Sequence, residues 1–137
     1  MNGGIQIRGE LLAQLVAHAR REPLGECCGL LGGRAGVITQ AVPAENVASD
    51  PAKNYEMRPS ELVRIMREFR AQGLDFLGIY HSHPTGENRP SVRDIELAYY
   101  SEAVYLIVSP CADALWPIRA FSIRDGSATE LELTTLL

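Results

Sequence analysis

The chain has few cysteines, no long apolar run and no excess of positive charge. Its three cysteines are Cys27, Cys28 and Cys111, of which two are adjacent and none forms a Cys-x-x-Cys pair. This usage argues against a disulfide framework. No apolar run approaches the roughly 20 residues that span a bilayer, and the first residues lack the basic and then apolar pattern of an export signal. We therefore expect a cytoplasmic protein without a membrane partner.

The charge balance is mildly acidic. There are 13 lysines and arginines against 17 aspartates and glutamates, for a net charge of -4. Because binding to phosphate backbones depends on a basic surface, nucleic acid is not the expected partner. Hydrophobic residues make up 46% of the chain and charged residues 22%, which is typical of a globular fold. A length of 137 residues suits one domain, so we expect residues 1–137 to form a single domain.

The spacing of apolar and turn-forming residues predicts both helices and strands. After a short first strand, apolar residues recur at helical spacing, and they do so again from Pro59 to Ala71. A third helix is expected from about Ser91 to Tyr100, and residues 44–57 form the longest predicted loop. Further strands are predicted in the segments CCGLLGG, GVITQAVPA, DFLGIYHSH, AVYLIVS, PIRAFSIR and TELELT. This order predicts an α/β fold of the α+β kind, with one curved mixed sheet packed with helices.

Two histidines, His81 and His83, end a predicted apolar strand. Side chains two residues apart on a strand point to the same face, so both imidazoles can reach one ion. Asp94 is expected in the first turn of the next helix, from which its carboxylate can reach back toward the strand. Two imidazoles and one carboxylate suit zinc, and three protein ligands leave a fourth position open, as in catalytic sites. The spacing therefore predicts a catalytic Zn²⁺ site.

The same residues allow a simpler interpretation. Ser91 and Asp94 have the spacing of a helix capping box, and paired histidines at the end of a strand also occur as ordinary surface residues. The combination of His, His, Pro, Ser and Asp at these offsets would seldom arise by chance in a chain of this length, which favours the metal site. Ser91 is expected to cap the helix under either interpretation.

Glu26 stands at the entry to the apolar CCGLLGG segment. A hydrolytic metal site needs a group that accepts a proton from the attacking water, and a carboxylate can do this. By position alone, a solvated glutamate in the turn after Pro23 is the simpler interpretation. Cys27 and Cys28 are expected to be core residues of the strand. A thiol nucleophile paired with His81 is the alternative.

These two segments together resemble the JAMM, or MPN-plus, metalloprotease family. ECCGLLGG is followed, about fifty residues later, by GIYHSHPTGENRPSVRD. The signature of the family is a glutamate, then His-x-His, seven residues, Ser, two residues and Asp. It matches at Glu26, His81, His83, Ser91 and Asp94, without a departure. The similarity extends through EN…YEMRPSEL and covers about residues 5 to 125.

The resemblance implies an MPN/JAB-like fold with a cytidine-deaminase-like architecture. It also implies that His81, His83 and Asp94 hold Zn²⁺. Glu26 would then carry a proton from the attacking water to the leaving amine, and Ser91 would donate a hydrogen bond to the oxyanion. A lost oxyanion donor typically costs about 10²- to 10³-fold in rate.

Members of this family cleave amide and isopeptide bonds after the Gly-Gly tail of ubiquitin or ubiquitin-like proteins. The chain has no room for the two insertions by which larger relatives grip ubiquitin, so it resembles the compact prokaryotic branch. The implied partner is therefore a small ubiquitin-like sulfur-carrier protein as substrate. Its thin tail could lie extended along a sheet edge near residues 44–57 and the Pro84–Pro90 loop.

Two questions stay open at the level of the sequence. The first is whether the chain is an enzyme or a non-catalytic MPN-type scaffold, a role taken by relatives that have lost parts of the metal site. All five signature positions are present here, which favours the enzyme. The second is the oligomeric state, for which a homodimer is one candidate. The identity of the carrier and the preference for peptide or isopeptide bonds are not predicted.

Overall fold

Seven strands and three helices make up the described part of the chain. The structure, a computed structural model, describes residues 4–85, 87–111, 114 and 116–136. In chain order the elements are β1 (Gly4–Arg8), α1 (Gly9–Arg21), β2 (Cys28–Arg34), β3 (Val37–Ala44), α2 (Pro59–Ala71), β4 (Asp75–Ser82), α3 (Val92–Glu96), β5 (Val104–Val108), β6 (Ile118–Arg124) and β7 (Ser127–Leu136).

The strands join into one curved sheet in the order β1-β3-β2-β4-β5-β6-β7, and β7 pairs back with β1. The pairs β1–β3, β1–β7 and β4–β5 are parallel, and the other neighbours are antiparallel. The prediction of a curved mixed sheet packed with helices is therefore confirmed. The curvature is strong enough to bring the last strand beside the first.

Apolar side chains cover both faces of the central strands β2, β4 and β5. On one face, α1 packs Leu11, Leu15 and Ala19 against the sheet. On the other face, α2 packs Ile65 and Phe69. Because these strands are buried on both faces, their sequences are almost continuously apolar rather than alternating.

The pairing of β2 with β4 positions the functional segments. These strands are antiparallel, and Cys28 pairs with His81. This register brings the residues just before β2 beside the end of β4, although they are far apart in the chain. Beyond β4 the chain continues along β5, since the His83 N–H donates to the Val108 carbonyl at 3.0 Å. The start of β2 and the end of β4 therefore lie together.

The third helix is shorter than predicted. It ends at Glu96, whereas the sequence pattern extended it to about Tyr100. Tyr100 is instead held by tertiary contacts: its N–H donates to the Tyr105 hydroxyl at 3.2 Å, and its ring meets the Phe76 ring edge-on at 5.3 Å. The Tyr100 N–H therefore has a partner without a further helical turn.

Candidate metal centre and catalytic site

His81 and His83 point to the same side of the chain at the end of β4. Their Nε2 atoms lie 3.2 Å apart, as the two-residue period of a strand predicts. His81 is 1% exposed and His83 is 9% exposed. The interpretation of these histidines as ordinary surface residues is therefore wrong.

Asp94 meets both imidazoles through a single carboxylate oxygen. Its Oδ2 atom lies 3.1 Å from His81 Nε2 and 3.0 Å from His83 Nε2. The same Oδ2 accepts the Ser91 N–H at 2.9 Å, and Ser91 Oγ accepts the Asp94 N–H at 3.0 Å. The predicted capping box is therefore present, and it holds the carboxylate toward the imidazoles. The capping role and the ligand role are compatible in this geometry.

The ring nitrogens of His83 are assigned by its neighbours. Its Nδ1 atom lies 2.7 Å from the Glu87 carbonyl. Because a carbonyl can only accept, Nδ1 carries a proton, so a neutral His83 ring would offer its Nε2 lone pair to a metal ion. His81 stacks on Tyr55, with ring centroids 4.4 Å apart. Burial lowers the pKa of His81, so its imidazole is neutral near pH 7, as a metal ligand must be.

Glu26 is buried beside this group. It is 6% exposed, and its Oε1 atom has no hydrogen-bond partner among the described residues. One ligand atom from each of Glu26, His81, His83 and Asp94 falls within a set whose members all lie within 4.8 Å of one another. Burial raises the pKa of Glu26 to about 8, although the nearby His83 opposes this effect. The interpretation of Glu26 as a solvated residue in a turn is therefore wrong.

The donor atoms fit a zinc ion. Ligand atoms about 2.0–2.1 Å from a tetrahedral zinc lie about 3.3 Å from one another. The three donor atoms of His81, His83 and Asp94 are 3.0 to 3.2 Å apart, so only a small outward movement is required. Two imidazole nitrogens and one carboxylate oxygen are a set that zinc accepts. The buried, unpaired oxygen of Glu26 is the kind of atom that a nearby cation or water would satisfy.

Ser91 lies at the rim of the site, where it is exposed. Its oxygen accepts the Asp94 N–H in the cap, and its O–H hydrogen is left to donate elsewhere. This arrangement is compatible with the predicted oxyanion donor. That role stays a prediction.

The sequence interpretation missed a polar residue that holds the loop of residues 44–57 against Glu26. Asn46 Nδ2 donates to the carbonyls of Glu26 and Asn54, both at 2.9 Å. Its Oδ1 accepts the N–H groups of Ala48 and Glu56, at 3.0 and 3.1 Å. All four hydrogen-bonding positions of the amide are used. The sequence feature that could have indicated this role is the position of Asn46, an asparagine near the start of a long polar loop.

A second missed residue is Asn88, in the loop after His83. It is 8% exposed, and its Nδ2 atom donates to the Trp116 carbonyl at 2.6 Å. Asn88 follows Glu87, whose carbonyl meets the His83 ring. The bond therefore ties the loop that orients His83 to the segment before β6. Gly86 of the same loop lies outside the described residues.

The adjacent cysteines belong to the core, as predicted. Cys27 is 3% exposed and Cys28 is fully buried. Burial raises the pKa of both thiols, that of Cys28 to about 12. A neutral, buried thiol is a poor nucleophile. This geometry argues against the alternative of a thiol enzyme.

The comparison with protein families decides the assignment. The model of the prokaryotic homologs of the JAB domain matches residues 9–123. The chain belongs to this family. The predicted family and the predicted MPN/JAB-like fold are thereby confirmed.

This prokaryotic JAB-domain protein is similar to two named peptidases and to a protein of known structure. The desampylase of Haloferax volcanii is 41% identical over 102 residues, covering 70% of this chain and 73% of that protein. The CysO-cysteine peptidase of Mycobacterium tuberculosis is 33% identical over 126 residues, covering 90% of this chain and 86% of that protein. A protein of Desulfitobacterium hafniense with a solution structure has a TM-score of 0.84 and 31% identity, covering 96% of this chain and 92% of that one.

Proposed function

We propose that this JAB-domain protein is a zinc-dependent metallopeptidase or isopeptidase. Its substrate bond is the amide after the C-terminal Gly-Gly of a small ubiquitin-like sulfur-carrier protein. The observation that carries the proposal is the convergence of His81, His83 and Asp94 on one point, with the buried carboxylate of Glu26 beside it. The names of the similar proteins, a desampylase and a CysO-cysteine peptidase, support the substrate class.

Each residue has a defined task in this reaction. His81, His83 and Asp94 would hold the zinc ion, which when bound activates water and polarises the scissile carbonyl. Glu26 accepts the proton of the attacking water and returns it to the leaving amine, and a carboxylate buried beside the reacting atoms is placed for this transfer. Ser91 donates its O–H to the carbonyl oxygen as negative charge develops there.

The tail of the carrier would lie beside the loop of residues 44–57. β1 pairs with β3 only at Val37 and Ile38, so the rest of β3 has no strand partner on that side among the described residues. A cavity of about 450 Å³ lies next to the loop and shares Tyr55 with the His81 environment. Its lining also includes Arg93, Leu97 and Tyr100. An extended tail is narrow enough to enter such a space.

Mass spectrometry of candidate carriers tests the proposal. Carriers that bear C-terminal extensions are incubated with the protein and zinc, and the expected product ends at Gly-Gly. EDTA should abolish the reaction and added zinc should restore it. Binding of carriers without any cleavage would favour the alternative of a non-catalytic MPN-type scaffold.

The remaining expectations stay predictions. They are one domain over residues 1–137, a cytoplasmic location, no nucleic-acid or membrane partner, and a homodimer as one candidate assembly. Within the described residues, no helix combines the length and apolar character that crossing a bilayer requires.

A further inference from the structure

The main chain at Glu26 and Cys27 is held by four hydrogen bonds, one of which departs from a regular ladder. The Glu26 N–H donates to the Pro51 carbonyl at 2.7 Å, and the Glu26 carbonyl accepts Asn46 Nδ2 at 2.9 Å. The next N–H, that of Cys27, donates to Ser82 Oγ at 2.9 Å. The Ser82 N–H donates in return to the Cys27 carbonyl at 3.0 Å. In a regular antiparallel pair the Ser82 carbonyl would accept the Cys27 N–H, but here the hydroxyl takes that place.

The Ser82 hydroxyl lies at the end of the β2–β4 pairing, where the two strands separate. Cys28 still pairs with His81. One residue after Ser82, the His83 N–H turns to β5 and donates to Val108. One residue before Cys27, the chain turns toward the loop of residues 44–57. The two strands therefore separate at the same level as Glu26, His81 and His83.

The Ser82 hydroxyl also prevents an unpaired buried donor. Ser82 is fully buried and Cys27 is 3% exposed. If the hydroxyl were removed, the Cys27 N–H would have to pair with the Ser82 carbonyl, recruit water or remain unpaired. The first of these changes moves the main chain next to Glu26, and the other two leave it less firmly held. His81 lies on β4, which pairs with β5 on its other side, and the His83 N–H donates to the Val108 carbonyl of β5, so these two residues would move less.

We propose that Ser82, the central residue of the His-Ser-His segment, is a positioning residue for Glu26. It acts by accepting the Cys27 N–H, and so sets the direction in which the Glu26 carboxylate enters the site. The consequence for catalysis rests on the proposed function, in which Glu26 carries the proton. The effect of Ser82 on the position of the main chain is independent of the proposed function.

Hydrogen exchange in the metal-free protein tests the structural part. In Ser82→Ala, the Cys27 amide should exchange about tenfold faster or more, as measured by NMR. Ser82→Thr keeps the γ-hydroxyl and should restore slow exchange. Ser109→Ala is the matched control: Ser109 is 5% exposed and its Oγ accepts the Cys111 N–H at 3.3 Å. Removal of the Ser109 hydroxyl should leave the exchange rate of the Cys27 amide unchanged.

Kinetics of the zinc-loaded protein test the link to Glu26. Ser82→Ala should lower kcat about 10- to 100-fold, because small misplacements of a catalytic group have effects of this size. Zinc content and KM should stay close to those of the wild type. In a Glu26→Gln background, Ser82→Ala should cause little further loss, since a residue that acts through Glu26 has nothing left to position.

Two results would overturn the inference. One is an unchanged exchange rate of the Cys27 amide in Ser82→Ala, and the other is a loss of kcat that multiplies with that of Glu26→Gln. If Ser82→Ala does not fold, Ser82→Cys replaces it with the same expectations, because a thiol is a weak acceptor of similar size. A wild-type protein without hydrolytic activity would count against the proposed function, and the exchange experiment would still decide the role of Ser82.

Discussion

Asp94 is the residue that connects helix capping to the metal centre. Its Oδ2 atom accepts the Ser91 N–H and also faces His81 and His83. Hydrogen bonds to a ligating carboxylate fix its orientation before the ion arrives. Burial raises the pKa of Asp94, but the two imidazoles beside its Oδ2 atom outweigh this effect and hold the pKa well below its usual range. The carboxylate is therefore ionised at any pH at which the histidines can act as ligands.

Replacement of Glu26 by glutamine should separate metal binding from catalysis. The amide keeps the size of the side chain but cannot carry the proton, so kcat should fall about 10²- to 10⁴-fold. Zinc content, measured by elemental analysis, should stay at the wild-type level. Glu22→Gln changes an exposed glutamate of the same turn and should leave both quantities unchanged. Wild-type turnover in Glu26→Gln would remove Glu26 from its proposed role.

Replacement of His83 by alanine should reduce the zinc content. The change removes one of three ligands and leaves two, which bind zinc weakly. His18→Ala is the control, because His18 is the third histidine of the chain and its Nδ1 atom lies 2.8 Å from the Tyr80 hydroxyl, away from the cluster. The same zinc content in both variants would place the metal elsewhere.

At the scale of elements, the loop of residues 44–57 acts as a structured wall of the site. It is anchored by the amide of Asn46 and carries Tyr55, which stacks on His81. The Pro51 carbonyl of the same loop accepts the Glu26 N–H. A segment that reads as a polar connection in the sequence therefore orients the proton carrier and one ligand.

Asn46→Asp should destabilise the metal-free protein by about 1–3 kcal/mol. The carboxylate has almost the same shape but no donor, so two carbonyls would lose their partner and would face a negative charge. Urea unfolding measures the difference in free energy. Asn54→Asp is the matched control, since Asn54 contributes its main-chain carbonyl to this contact. Equal losses in the two variants would contradict the role assigned to the Asn46 amide.

At the scale of the whole molecule, the metal centre joins segments that are distant in the chain. The start of β2, the end of β4 and the first turn of α3 supply its four buried groups. Burial and the nearby charge of Asp94 both raise the pKa of Glu26, so an ionised Glu26 is costly at this place. A bound dication offsets this cost and links the three segments.

Zinc should therefore raise the thermal stability of the folded chain. At a free zinc concentration of 100 times Kd, the gain is about 2.7 kcal/mol for an ion that binds only the native state. Calorimetric scans with zinc and with EDTA measure the shift in Tm. The shift should be lost in His83→Ala. A shift of equal size in that variant would show that the stabilising ion binds at another place.

Several elements could be predicted because their signals are local. α2 was predicted from Pro59 to Ala71 and is observed with these bounds, since its helical spacing and its proline at the start act within one segment. The end of α3 was predicted wrongly because the contacts of Tyr100 with Tyr105 and Phe76 outweigh local helical preference. Such contacts depend on residues that the local pattern does not contain.

The sequence by itself determined the local half of the site. His81 and His83 share a face because a strand has a period of two, and Ser91 and Asp94 form a cap because they are three residues apart at a helix start. Only the tertiary structure decided that Glu26 is buried beside them, that the Asn46 amide donates to its carbonyl, and that the Ser82 hydroxyl accepts the N–H of the next residue, Cys27. The reason is physical: backbone geometry sets relations over a few residues, whereas the pairing of β2 with β4 and the burial of a distant carboxylate follow from the packing of the whole chain.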